Sequence, residues 1–226
     1  MLKAIIFDCD GVIADTEPIH MASLQRILGE EGITLTEEDY FRDYLALDDR
    51  ACFVKAFSER GSALDQDQLE ALIARKAEYV EPVMRDSLRL LPGVSEFIRR
   101  ASELYPLAVA SGALRREIEL VLKYGDLTDC FRVIVSAEDV ARSKPHPDPF
   151  LKARDLLDAL SEEPLAPSEC LVIEDSIHGV QAARQAAMKC LAVTNSYVRA
   201  QLQEADRVVE SLADLSLEDV KRMFTA

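Results

Sequence analysis

Lys3-Ala4-Ile5-Ile6-Phe7-Asp8-Cys9-Asp10-Gly11 is the stretch from which the fold can be read. Its apolar run is too short for a helix and too continuous for a strand with one face in water. Lys3–Phe7 therefore reads as a strand buried on both faces, the habit of parallel sheets covered by helices. Short runs rich in Val, Ile and Leu recur at Leu107–Ala110, Arg132–Val135, Cys170–Ile173 and Leu191–Thr194. Helical patterns over Leu114–Tyr124, Pro149–Leu160 and Ile177–Ala187 lie between the later runs and supply the crossovers that parallel strands require. The fold class expected is α/β with a parallel-sheet core.

Residues 16–84 break this alternation. They hold no strand-like run and carry helical periodicity at Met21–Leu28, Glu37–Leu45, Ala51–Phe57 and Gln68–Tyr79. Residues 1–15 and 85–226 are thus expected to form the α/β core, and residues 16–84 an all-helical insertion. Pro18 suits a first helical turn, Thr36 can cap the next helix, and Pro92-Gly93 punctuates the return to the α/β part.

At 226 residues the chain can hold one large domain or a domain carrying an insertion. With 49% hydrophobic and 30% charged residues it has the composition of a globular protein rather than a disordered one. Acidic residues number 41 and basic ones 26, so 41 − 26 leaves 15 net negative charges. That field repels nucleic acid and anionic lipid, and neither is an expected partner. Five cysteines without CxxC spacing suggest neither a disulfide framework nor a zinc site and fit a reducing compartment. Asp8 arrives too early for the apolar region of a signal peptide, and no later run approaches the ~18 apolar residues of a membrane span. A cytoplasmic protein, monomeric or weakly dimeric, is expected.

The conspicuous polar residues fall at or just beyond the carboxyl ends of the expected strands, where open parallel sheets bind ligands. The first strand runs into Asp8-Cys9-Asp10-Gly11, the second into Ser111-Gly112, the third into a loop holding Lys144, and the fourth into Glu174-Asp175. Carboxylates crowded there repel one another by about 4 kcal/mol per pair at 4 Å and an effective dielectric near 20, so the cluster calls for a cation. Oxygen donors without His or Cys favour a hard ion, and Mg²⁺ suits a site with few carboxylates plus water or phosphate. Lys144 and the Ser111 hydroxyl can then hold a phosphoryl group. Asp8 and Asp10 can reach one small volume if the chain coils after Phe7, Gly11 permitting the turn. One carboxylate can attack while the other handles protons.

Asp8-Cys9-Asp10-Gly11-Val12-Ile13-Ala14-Asp15-Thr16-Glu17 resembles the first motif of the haloacid dehalogenase superfamily, in its phosphatase and β-phosphoglucomutase-like branch. Ser111, Lys144-Pro145-His146-Pro147-Asp148-Pro149-Phe150 and Glu174-Asp175-Ser176-Ile177-His178-Gly179 resemble the remaining three motifs, in order. The resemblance implies a Rossmann-like core, with the first and fourth motif strands adjacent, and a helical cap inserted after the first motif. It implies a Mg²⁺-dependent phosphatase acting on a small phosphorylated metabolite such as a sugar phosphate or phosphoglycolate. Asp8 would be the nucleophile and Asp10 the acid and base. Asp8, the Asp10 backbone carbonyl and Asp175 would bind Mg²⁺, with Glu174 direct or through water. Ser111 and Lys144 would hold phosphoryl oxygens, helped by N–H groups around Gly11 and Gly112.

Alternatives remain at this stage. A phosphosugar mutase resembling β-phosphoglucomutase is one, and a non-catalytic scaffold is a remote other. His20 is either a proton-handling residue of the mutase kind or an ordinary histidine at a helix start. The segment Leu45-Ala46-Leu47-Asp48-Asp49-Arg50, with Arg75 and Lys76, is the expected source of substrate selectivity. It departs from the mutase pattern at Leu45, Ala46 and Asp49, where a basic residue, a glycine and an arginine would stand. Cys9 is expected to pack away from the site, and His146 and His178 are expected to be loop and helix-start residues.

Overall fold

The computed structural model describes residues 1–45 and 47–225. In chain order it forms strand β1 (Ala4–Phe7), helices α1 (Glu17–Glu30), α2 (Glu37–Asp43), α3 (Asp49–Ser58), α4 (Gln66–Ser87) and α5 (Val94–Ser102), then β2 (Leu107–Ala110), α6 (Arg115–Tyr124), β3 (Val133–Val135), α7 (Asp148–Asp158), β4 (Cys170–Glu174), α8 (Ile177–Gln185), β5 (Lys189–Val193), β6 (Arg207–Val209) and α9 (Leu217–Arg222). The chain divides into two compact units, one made of Met1–Asp15 and Arg89–Ala226, the other of Thr16–Leu88.

The larger unit is an α/β, Rossmann-like structure whose six-stranded sheet runs β3-β2-β1-β4-β5-β6. Every neighbouring pair of strands is parallel. The chain starts mid-sheet, moves outward through β2 and β3, then returns to lay β4 on the other side of β1. That reversal opens a crevice at the carboxyl ends of β1 and β4. All residues of β1, β2 and β4 are buried, which is what the unbroken apolar sequences of β1, β2 and residues 170–173 of β4 require; Glu174, at the end of β4, is the charged exception. On one face Ile6, Ala108, Val172 and Cys190 pack with Phe150 and Leu157. Phe7 meets Phe97 and Phe131 edge-on, with centroids 6.2 and 5.7 Å apart. Burying such a side chain contributes about 1.5–3 kcal/mol.

Three elements lie outside the sequence expectations. Strand β6 is only half buried and lies at the sheet edge, so Arg207-Val208-Val209 lacks the long apolar run of a central strand. Helix α5 buries Val94, Phe97, Ile98 and Ala101, an i, i+3, i+4, i+7 stripe that is legible in hindsight. Helix α9 is a six-residue turn started by Ser216. The segment between α7 and β4 is pinned rather than loose: Leu165 is buried in the core, and its N–H donates to Asp158 Oδ1 at 2.6 Å.

In the helical unit Leu24, Leu28, Tyr40, Phe53, Leu69 and Leu72 form a separate core. Thr36 caps α2 by accepting from the Asp39 N–H at 3.1 Å. Asp65 and Gln68 form a reciprocal cap on α4. Helix α4 runs past residue 84 to Ser87, through Pro82, because Val80 and Met84 are fully buried and hold its last turns. Among the described residues no helix is long and apolar enough to cross a membrane.

Candidate active site

Immediately after β1 the chain coils. The Cys9 carbonyl accepts from the Ile13 N–H at 2.7 Å and from Ala14 at 3.2 Å, and the Gly11 N–H donates to the Ala14 carbonyl at 2.9 Å. Gly11 has φ 71°, in the left-handed region, and a Cβ there would stand 1.9 Å from Asp175 Oδ2. Glycine is demanded twice, by dihedral angle and by close approach. The Gly11 N–H is already used inside this turn. Gly11 shapes the loop and lets Asp175 approach, which leaves any phosphoryl contact expected from amides around Gly11 to its neighbours.

Asp8 is buried at the end of β1, and Glu174 and Asp175 are buried at the end of β4. One carboxylate oxygen from each lies within 4.8 Å of the others, the group of this kind found among the described residues. Lys144 reaches in from the loop after β3, its Nζ 2.6 Å from Glu174 Oε1 and 2.9 Å from Asp8 Oδ1. The Lys144 ammonium also lies over the Phe150 ring, 5.0 Å from its centroid. Glu174 Oε2 accepts three further hydrogen bonds, from the Asp175 and Ser176 N–H groups at 2.9 and 2.8 Å and from Ser176 Oγ at 2.9 Å. The Asp10 carboxylate is not in this trio. It receives a long hydrogen bond, 3.4 Å, from Ser111 Oγ at the end of β2. Ser111 Oγ in turn accepts from the Ala113 N–H at 3.2 Å, and Gly112 is exposed.

Burial pushes the Asp8 carboxyl up to about 7, with Glu174 and Asp10 adding to the rise and Lys144 opposing it. Burial acts the same way on Glu174, but there the Lys144 ammonium outweighs it and holds the acid below its usual range. Lys144 loses hydration too, yet Asp8 and Glu174 more than offset this and raise it. Once all three are ionised, three carboxylates face one ammonium, which leaves 3 − 1 = 2 negative charges to balance. Asp8 Oδ1 is buried and faces the Lys144 ammonium at 2.9 Å. A buried, acidic, oxygen-only cluster fits a hard metal cation. Cys9 does not join this chemistry: burial, then Asp10 and Asp8, push its thiol well above the ordinary value.

A family model described as haloacid dehalogenase-like hydrolase matches residues 5–193 of the chain. The chain belongs to the haloacid dehalogenase-like hydrolase family. Within it, the chain falls in the phosphatase branch. YhcW of Bacillus subtilis (strain 168) is 32% identical over 219 residues, covering 96% of this chain and 95% of its own length. Hexitol phosphatase B of Escherichia coli (strain K12) is 30% identical over 224 residues, covering 97% of this chain and 96% of its own. The fold matches the crystal structure of β-phosphoglucomutase from Clostridium difficile with a TM-score of 0.86 at 23% identity, over 99% of this chain and 97% of that one.

In this haloacid dehalogenase-like hydrolase the candidate selectivity residues of the helical unit divide sharply. Lys76 is 1% exposed and sits 2.5 Å from Asp49 Oδ1 and 3.0 Å from His20 Nδ1. An ammonium can only donate, so His20 Nδ1 is the acceptor in that contact and the ring proton belongs on Nε2. Arg50 is exposed, its guanidinium 3.4 Å from Gln66 Oε1. Arg75 is partly exposed, and its guanidinium pairs with Glu30 and Glu31 at the end of α1. Arg115, after the second motif, is likewise held by Asp139 at 2.7 Å and the Ile134 carbonyl at 3.0 Å. Ala46 lies outside the described residues.

Sequence reasoning named Gly179 only as the end of a motif and missed Asn195 and Ser196 altogether. Gly179 passes so close to Glu174 that a Cβ would stand 1.8 Å from its Cδ. Ser196 Oγ donates a short hydrogen bond to Asp175 Oδ2, and Asn195 Nδ2 donates to the Gly11 carbonyl at 2.7 Å. The only advance signal for Asn195 and Ser196 was their place beyond the carboxyl end of a fifth buried strand.

Proposed function

We propose that the chain is a Mg²⁺-dependent phosphomonoester hydrolase for small sugar or sugar-alcohol phosphates, working through an aspartyl-phosphate on Asp8. The carrying observation is the buried Asp8 carboxylate held by Lys144 beside Glu174 and Asp175, with Asp10 next to it in the same turn. Hexitol phosphatase B supports the substrate class.

Asp8, the Asp10 carbonyl and Asp175 would hold Mg²⁺, with Glu174 beside them; the ion would balance the surplus negative charge and polarise the phosphoryl oxygens. Asp8 attacks phosphorus as the P–O bond to the alcohol breaks, and Asp10 gives its proton to the departing alkoxide. Asp10, now a carboxylate, takes a proton from water as that water attacks the aspartyl-phosphate. Phosphate leaves and Asp8 is restored. Lys144 and Ser111 hold the charged phosphoryl oxygens throughout, and Lys144 needs Glu174 to stay where it is.

The α/β unit carries the chemistry, and the helical unit, through His20, Lys76 and Arg50, carries selectivity. Asp49 compensates the Lys76 charge, which suits hydroxyl recognition and not the grip on a second phosphate that a mutase needs. Five free cysteines support a reducing, cytoplasmic setting, and 15 net negative charges support small-molecule rather than nucleic-acid or membrane partners.

The deciding experiment pairs a panel of phosphomonoesters with β-glucose 1-phosphate supplemented by a trace of the 1,6-bisphosphate. Free phosphate should accumulate from a sugar or sugar-alcohol phosphate, with glucose 6-phosphate negligible. Rapid isomerisation with little phosphate release overturns the hydrolase in favour of the mutase.

A further inference from the structure

We infer that Asn195 and Ser196, in the loop that follows β5, are positioning residues that lock the nucleophile turn to the Asp175 carboxylate; this rests on the metal role of Asp175 proposed above. The two residues lie outside all four motifs, yet together they touch two of them. Ser196 Oγ donates to Asp175 Oδ2, and Asn195 Nδ2 donates to the Gly11 carbonyl at 2.7 Å across 184 positions of sequence. The contacts form one knot. A Cβ on Gly11 would stand 1.9 Å from Asp175 Oδ2 and 2.9 Å from Ser196 Oγ, so the bare Cα of Gly11, the carboxylate and the hydroxyl are packed against one another.

The consequence is mechanical. An aspartate carboxylate rotates about two bonds, and a metal ligand is useful only in one orientation. Steric contact with Gly11 limits that rotation from one side, and the charge-assisted hydrogen bond from Ser196 fixes it from the other. Asn195 meanwhile stops the β1 turn from drifting away from β4, because the Gly11 carbonyl it holds directly follows Asp10. The loop after β5 thus couples the spacing of Asp8 and Asp10 to the aim of Asp175. Outer-shell partners of this type commonly govern metal affinity by about 10–100-fold.

The test measures Mg²⁺ binding by isothermal titration calorimetry, separately from turnover. Ser196→Ala should weaken Mg²⁺ binding about tenfold, and Ser196→Thr, which keeps the hydroxyl, should restore most of it. Metal-free melting temperatures should stay close to wild type, since a structural role would move them and an aiming role would not. Asn195→Asp, which turns a carboxylate oxygen toward the Gly11 carbonyl in place of a donor, should lower kcat about tenfold at saturating Mg²⁺ while leaving KM nearly unchanged. If Ser196→Ala does not fold, Ser196→Cys, close in volume but a weak donor, takes its place. Wild-type Mg²⁺ affinity in the Ala or Cys variant, or failure of folded Ser196→Thr to restore it, overturns the Ser196 assignment. Unchanged kcat in Asn195→Asp overturns that of Asn195. Absence of Mg²⁺ binding by the wild-type protein ends the metal reading itself, and this assignment with it.

Discussion

Replacing Gly179 by alanine sets two effects of opposite sign against each other. Gly179 lies inside α8, where alanine is the better helix former by about 1 kcal/mol. Its added Cβ, however, would fall 1.8 Å from Glu174 Cδ, 1.9 Å from Oε1 and 2.3 Å from Oε2. The Glu174 side chain would have to leave. It is fully buried and accepts four hydrogen bonds, one from Lys144 and three from Asp175 and Ser176. Breaking one partner out of a buried ion pair costs about 3–5 kcal/mol, so the net expectation is a loss of about 2–4 kcal/mol despite the gain in propensity. Urea denaturation of wild type and variant measures it, and phosphate release should fall as Lys144 loses its anchor. Gly29 in α1 supplies the control: nothing lies within 4 Å of a Cβ there, so Gly29→Ala should stabilise by about 0.5–1 kcal/mol. A Gly179→Ala variant as stable as wild type and fully active would refute the idea that Glu174 is held in place by this contact.

Asp8→Asn should fold and lose at least about a thousandfold in phosphate release at matched Mg²⁺; substantial residual turnover excludes Asp8 as nucleophile. Mg²⁺ should activate and Ca²⁺ inhibit, because Ca²⁺ prefers more ligands and looser geometry, and full turnover in excess chelator contradicts the metal requirement. The metal-free folded protein keeps the Asp8 proton up to about pH 7, whereas the unfolded chain releases it near the usual 3.8. Burial of Asp8 therefore costs stability progressively as pH rises through that window, and the loss levels off above 7. Mg²⁺ must displace the same proton, so its affinity, titrated calorimetrically, should rise up to about tenfold per pH unit below 7 and flatten above it; a flat profile across pH 5 to 7, within about twofold, counts against a protonated Asp8.

The sequence by itself settled the class of fold and the edge at which chemistry occurs. A strand covered by helices on both faces must be apolar along its buried run, so burial is written locally, as in Ala4–Phe7 and residues 170–173. The first polar residue after such a run necessarily sits at the strand's carboxyl end, which is why Asp8, Ser111 and Glu174-Asp175 gather at one edge on sequence alone. The edge strand β6 was hidden for the converse reason: half-buried, it needs no such run.

Only the tertiary structure decided how those side chains share the work. It alone showed that Glu174 spends both oxygens on neighbours, that the Gly11 N–H closes its own turn, that Asp10 faces Ser111 outside the carboxylate trio, and that Arg75 is taken up by Glu30 and Glu31. It alone brought Asn195 and Ser196 to the site. Apolar burial is a property of a segment and leaves a periodic trace along the chain. A polar contact is a property of a pair, and these pairs join residues as far apart as Gly11 and Asn195, whose meeting depends on the stacking order of strands that neither residue encodes.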